Sequence, residues 1–320
     1  MLVSNTAPRQ QLLAVRRGGS GESEIRNMDP LEMSHSVPRV KPIDRAGWGR
    51  GVLVLMGLLL LSVFQGCNGL FYHPNSSQYR SLDSIAGAEE LTFASDDGTK
   101  LHAWFLHAQG APKGTVVYFH GNAQNLTSHI SYVDWLPAEG FDVFAFDYRG
   151  YGQSEGSASR QGLHEDSLAA LGYISTRPGV DADRLVVLAQ SLGGACAAAA
   201  LGEGAVKVRG LVLDSTFAHY IGMANEVLGG TFLTYPLAWL LLSNSHSPAQ
   251  SIASIAPTPI LCFHSLEDPV VPIRQGRALY AAAGEPKTFV EVSAPGHAVA
   301  TKSRAARERL LQFFSACLKD

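Results

Sequence analysis

From residue 88 onward, short β-branched and aromatic runs alternate with stretches of helical period, and this alternation constrains the fold more than any other feature of the chain. Strands are expected at 90–94, 101–107, 115–119, 143–146, 185–189, 211–213, 259–263 and 288–292. Most are brief and apolar throughout, as strands buried on both faces must be. The first two flank Asp96-Asp97-Gly98 and read as an antiparallel hairpin. Helices are expected near 127–138, 160–176, 192–202, 273–283 and 299–318. The last carries Leu310, Leu311, Phe314 and Leu318 on one face, a core stripe. The expected class is α/β: an eight-stranded, mostly parallel sheet with helices on both faces, filling residues 88–320 as one domain. A short helical insert, 217–256, interrupts the rhythm after strand 6 with Met223, Val227, Phe232, Leu233, Leu237 and Trp239 among few charges. It fits a cap over a substrate pocket, a membrane contact, or a plain pair of helices on the sheet.

The part before residue 67 is of another kind. Residues 1–66 hold 8 Lys/Arg against 5 Asp/Glu, whereas the remainder holds 17 against 23, so the formal charge of −3 averages a basic leader and an acidic body. Residues 52–64 (VLVLMGLLLLSVF) follow Arg39, Lys41, Arg45 and Arg50. Thirteen helical residues reach about 20 Å, short of a ~30 Å hydrocarbon core, so the segment reads as the apolar region of a secretory signal. Its end, Phe64-Gln65-Gly66-Cys67, resembles the lipobox of bacterial lipoproteins, with Phe64 and Gln65 departing from the usual residues and Gly66 and Cys67 fitting. That resemblance implies lipidation at Cys67 and a membrane-anchored protein of the cell envelope, facing the periplasm or exterior. An ordinary signal peptide or an uncleaved anchor is the alternative. The expected organisation is a disordered or misassigned extension over 1–50, with translation starting at Met28 or Met33, then a signal segment and lipobox over 51–66 and a linker over 67–87.

Ser191 stands between a strand and a helix in RLVVLAQSLGGA. A nucleophilic serine needs a strained turn above the sheet, with small residues two positions to either side, and Ala189 and Gly193 meet that need. The same letters also suit an ordinary serine helix cap. The loop of His120-Gly121-Asn122 ends an earlier strand, where the backbone N–H of Asn122 can pair with that of Leu192 as an oxyanion hole. His120 reads as a structural residue of that loop. A serine hydroxyl needs a base, and His297, in a loop after the last strand, can reach over the sheet. The imidazole needs a carboxylate partner: Asp268 after the penultimate strand is preferred, with Asp214 the second candidate.

The order Ser, Asp, His, together with HGNAQN (120–125), FDYRGYGQSEG (146–156), AQSLGGA (189–195), LEDPVVP (266–272) and PGH (295–297), resembles the α/β-hydrolase superfamily over about residues 88–318. Within it, the Bem46-like branch related to serine aminopeptidases is the nearest match. Ala189 in place of glycine and Ser265 are departures that remove no reacting group. The resemblance implies a serine hydrolase that cleaves carboxylic esters of small-molecule or lipid-like acyl substrates, with Ser191 as nucleophile, His297 as base and Asp268 as acid. Thioesters and peptides suit the same machinery, and a non-catalytic envelope binding lipoprotein is the alternative of another class.

No cofactor and no metal are expected. The Gly150-x-Gly152 pair lacks dinucleotide-binding spacing, leaving Asp147, Tyr148 and Arg149 as loop structure, and no metal-ligand pattern occurs. Cys67, Cys196, Cys262 and Cys317 form no CxxC, and Cys196 and Cys262 read as core residues. No basic stripe supports a nucleic-acid partner. Oligomeric state is left open.

Overall fold

The computed structural model describes residues 71–319 except 205, 230, 234–235 and 237–243, so Cys67, its leader and Leu237 and Trp239 of the insert lie outside the described residues. The elements are β1 (Ala88–Ala94), β2 (Lys100–Leu106), β3 (Thr115–Phe119), β4 (Asp142–Phe146), α1 (Arg160–Thr176), β5 (Leu185–Gln190), α2 (Leu192–Gly202), β6 (Gly210–Asp214), α3 (Tyr220–Val227), β7 (Ile260–Ser265), α4 (Ile273–Ala282), β8 (Lys287–Val292) and α5 (Arg304–Cys317). The sheet has eight strands in the order β1-β2-β4-β3-β5-β6-β7-β8. β2 runs antiparallel to β1 and β4, and the pairs from β4 to β8 are parallel.

The period-2 geometry of a strand sorts each apolar run between two cores. In β5, Leu185, Val187 and Ala189 meet α1 and α2, while Val186 and Leu188 meet α5 on the other face. In β6, Leu211 and Leu213 take the first face and Val212 the second. Both faces are covered, which is why these strands read as unbroken apolar runs.

Two helices differ from expectation. Residues 126–139 form a short α-turn (Leu126–His129) and two 3-10 turns (Ile130–Tyr132, Leu136–Glu139) instead of one helix. Ile130, Val133 and Leu136 are all buried at a spacing of three, a period that a 3-10 path serves as well as an α-helix, and Gly140 at φ +85° ends the segment. The final helix begins at Arg304, capped by Ser303, because residues 298–300 are held elsewhere through their backbone N–H groups. The hairpin is as expected: Gly98, at φ +86°, donates its N–H to Ser95 O at 2.9 Å.

Residues 71–80, at the end of the segment read as a linker, lie along the loop after β3. Pro74 bridges Gln124, His73 N–H donates to Asn122 Oδ1 at 3.0 Å, and Tyr79 N–H donates to Thr127 Oγ1 at 3.0 Å.

Candidate active site

The carboxyl ends of β3, β5, β6, β7 and β8 all open on one edge of the sheet, the edge where open α/β folds place their ligands. Ser191 stands there between β5 and α2 with φ +52° and ψ −114°, a left-handed backbone that a side chain rarely adopts. The neighbouring glycines make the turn possible. A Cβ on Gly193 would meet Phe119 O at 2.3 Å and His120 O at 2.5 Å, and one on Gly194 would meet Thr216 Oγ1 at 1.9 Å. Helix α2 thereby lies against the end of β3, and the Gly121–Asn122 loop comes beside Ser191, a Cβ on Gly121 lying 3.7 Å from Ser191 Cβ.

Asn122 is held by its side chain. Its Oδ1 accepts from His73 N–H, Ala123 N–H and Tyr151 O–H, and its Nδ2 donates to Phe71 O at 2.6 Å. Among the described residues, the backbone N–H groups of Asn122 and Leu192 have no hydrogen-bond acceptor. Below them, Asp147 Oδ1 accepts the Leu126 N–H at 2.6 Å, Tyr148 O–H donates to His120 O at 3.2 Å, and His120 Nδ1–H donates to Gly121 O at 2.7 Å. Burial raises the Asp147 carboxyl, but His102 and His120 outweigh it and its pKa is lowered. Arg149 pairs with Asp166 and Asp97, so the 147–149 loop is the structural support read from the sequence.

His297 Nδ1–H donates to Asp268 Oδ2 at 2.9 Å, with Oδ1 at 3.1 Å. Asp268 Oδ1 also accepts from Val270 and Val271 N–H, each at 2.9 Å. Burial alone would raise this carboxyl, yet the hydrogen bond and charge of His297 and the two amides bring its pKa below 3.8. Asp214 does something different: its oxygens accept the N–H groups of Val299 at 2.8 Å and Ala300 at 3.1 Å, and Ser215 Oγ accepts that of Ala298 at 3.0 Å. Burial pushes Asp214 up to about 6, with the two amides pulling the other way. Of the two acid candidates, Asp268 touches the imidazole and Asp214 holds the loop that carries it.

Among the described residues, His297 bonds Asp268 and shares no hydrogen bond with Ser191. His129 went unnoticed in the sequence. A Cβ on Gly121 would lie 3.5 Å from His129 Cε1 and 3.7 Å from Ser191 Cβ, so Gly121 separates this ring from the serine. Burial and the neighbouring His120 lower its pKa to about 3, which keeps it neutral. What distinguishes it is its place against the Gly121–Ala123 loop, where its Nε2–H donates to Ala123 O at 3.2 Å, and no local letter pattern signals that. A cavity of about 420 Å³ between Asp183, Lys207, Arg209 and Thr258 opens at the amino ends of the strands and contains none of these groups. No His/Cys/Asp/Glu cluster suited to a metal occurs among the described residues.

An α/β sheet with a strained serine turn, two donor N–H groups beside it and a histidine–carboxylate pair on the same edge defines a hydrolase of the α/β class. Comparison with known proteins agrees. A hydrolase family model described as serine aminopeptidase matches residues 110–241. The uncharacterised protein YfhR of Salmonella typhi is 37% identical over 265 residues, covering 78% of this chain and 88% of its own. The α/β-hydrolase domain-containing protein WAV2 of Arabidopsis thaliana is 34% identical over 270 residues, covering 78% and 86%. An esterase of Pyrococcus furiosus has the same fold at TM-score 0.63 and 18% identity, covering 77% of this chain and 100% of that one. The chain belongs to the α/β-hydrolase superfamily.

Proposed function

We propose that the protein is a serine hydrolase that cleaves carboxylic esters through an acyl-enzyme. The observation that carries this reading is Ser191 on its strained turn with the unpartnered N–H groups of Asn122 and Leu192 beside it. Ser191 Oγ attacks the carbonyl carbon and its proton passes to His297 Nε2. The oxyanion is bound by the two N–H groups. Asp268, ionised and bonded to Nδ1–H, stabilises the imidazolium. That proton then goes to the leaving alkoxide, the C–O bond breaks, and a water molecule, deprotonated by the same imidazole, releases the acid and restores Ser191.

Replacing Ser191 by Ala is expected to abolish both hydrolysis of short-chain aryl esters and labelling by a fluorophosphonate. Full labelling of the variant would refute the assignment, and a folded wild-type chain inert to every activated ester would instead favour a binding protein. The aminopeptidase description of the matching family favours peptides as the second reading. A panel of aryl ester, acyl thioester and aminoacyl anilide ranks the two, with the ester expected fastest. The reading extends to the envelope: the leader and Cys67 make this a lipid-anchored enzyme outside the cytoplasmic membrane.

A further inference from the structure

Among the described residues, the large apolar side chains left exposed are not scattered. Tyr79 belongs to the segment lying on the Asn122 loop. Val227, Phe232 and Leu233 are 68%, 84% and 72% exposed and belong to the insert, while Leu266 and Val270 flank Asp268. Each of these segments rises from the carboxyl-end edge of the sheet. They are also joined to one another. Phe71 packs against Phe217 and Tyr220, which lead into α3, and Arg274 of α4 pairs with Glu226 near the end of α3. The amino-end edge, by contrast, presents Lys113, Arg184 and Arg209, whose head groups bind backbone carbonyls.

The chain enters on this same apolar edge. Phe71 lies four residues after Cys67 and seven after the apolar run 52–64. At about 3.3–3.6 Å per residue, an anchor at Cys67 holds Phe71 within roughly 14 Å of its attachment point, and an uncleaved apolar run holds it within about 25 Å. A membrane attached by either route lies on the side of Ser191, where the exposed apolar groups are. Residues 67–320 hold 17 basic against 23 acidic side chains, so attraction to anionic lipid does not supply the contact and apolar insertion must.

We infer that the carboxyl-end rim, through Val227, Phe232, Leu233, Leu266 and Val270, docks on a lipid bilayer surface and that the substrates are acyl esters taken from that bilayer. The substrate class rests on the esterase reading above; the docking surface rests on the rim and on the edge at which the chain enters.

The test uses the full chain reconstituted in phosphatidylcholine vesicles, as wild type and as the double variant Phe232→Ser with Leu233→Ser. Hydrolysis of a long-chain ester dissolved in the bilayer is expected to fall about tenfold in the double variant, while a water-soluble aryl ester is hydrolysed at an unchanged rate. Equal rates on the bilayer ester overturn the inference. A soluble ester left intact by wild type defeats the esterase reading instead. The surface then has its own readout: amide hydrogen exchange over 226–233 and 266–271 is expected to be slower in vesicle-bound wild type than in the double variant, and identical exchange overturns docking. A rim buried between two copies would appear as a dimer in detergent that the double variant dissociates, and that result also overturns it.

Discussion

The roles of individual side chains depend on which atom each one faces. Asp214 ends β6, Asp268 follows β7 and both are buried, but only Asp268 bonds the His297 ring. Replacing Asp268 by Asn, which leaves the volume in place and favours the wrong imidazole tautomer, is expected to lower kcat about 10⁴-fold with KM little changed, as steady-state kinetics will show. The same substitution alters acid stability. The folded-state pKa of Asp268 lies below its unfolded value of 3.8, so its contribution is fully present above that value and is lost as pH falls through the folded pKa. Thermal melts from pH 6 to 2 should therefore show a shallower acid loss in the Asn variant than in wild type. Asp214 has the opposite sign. Its pKa is raised to about 6, so the stability linked to its proton is present below 3.8 and lost as pH rises through 6.

At the scale of elements, the strand–turn–helix β5–Ser191–α2 is as much a packing device as a chemical one. Gly193 and Gly194 let α2 approach β3 and Thr216, and the first of these contacts is with backbone carbonyls that cannot rotate away. Gly193→Ala is expected to cost about 1–3 kcal/mol or more in urea unfolding and to lower hydrolase activity out of proportion, because relief of the overlap displaces the Asn122 loop. This element was legible in the sequence, since small residues at fixed offsets from a serine are a local pattern. The 126–139 segment was not: its buried positions satisfy two helical periods, and packing against the sheet selected between them.

At the scale of the whole molecule, the described residues of the entering segment, the insert and the histidine loop lie at the carboxyl-end edge of the sheet, so the proposed attachment, substrate entry and chemistry would share a face. Mass spectrometry of the purified amino terminus tests the attachment: lipid on Cys67 is expected, and an unmodified chain that begins upstream of it would refute the lipoprotein reading. The sequence by itself determined the class of fold and the order of its strands along the chain, and it named the candidate residues of the site, because strand period, helix period and turn chemistry are local. Only the tertiary structure decided that Asp268 faces the imidazole, that His129 and the serine both lie against Gly121 and that residues 71–80 brace the Asn122 loop. Those facts rest on hydrogen bonds and contacts between distant positions, such as Val299 to Asp214 across 85 residues, which arise when the sheet brings strand ends together and which no window of sequence contains.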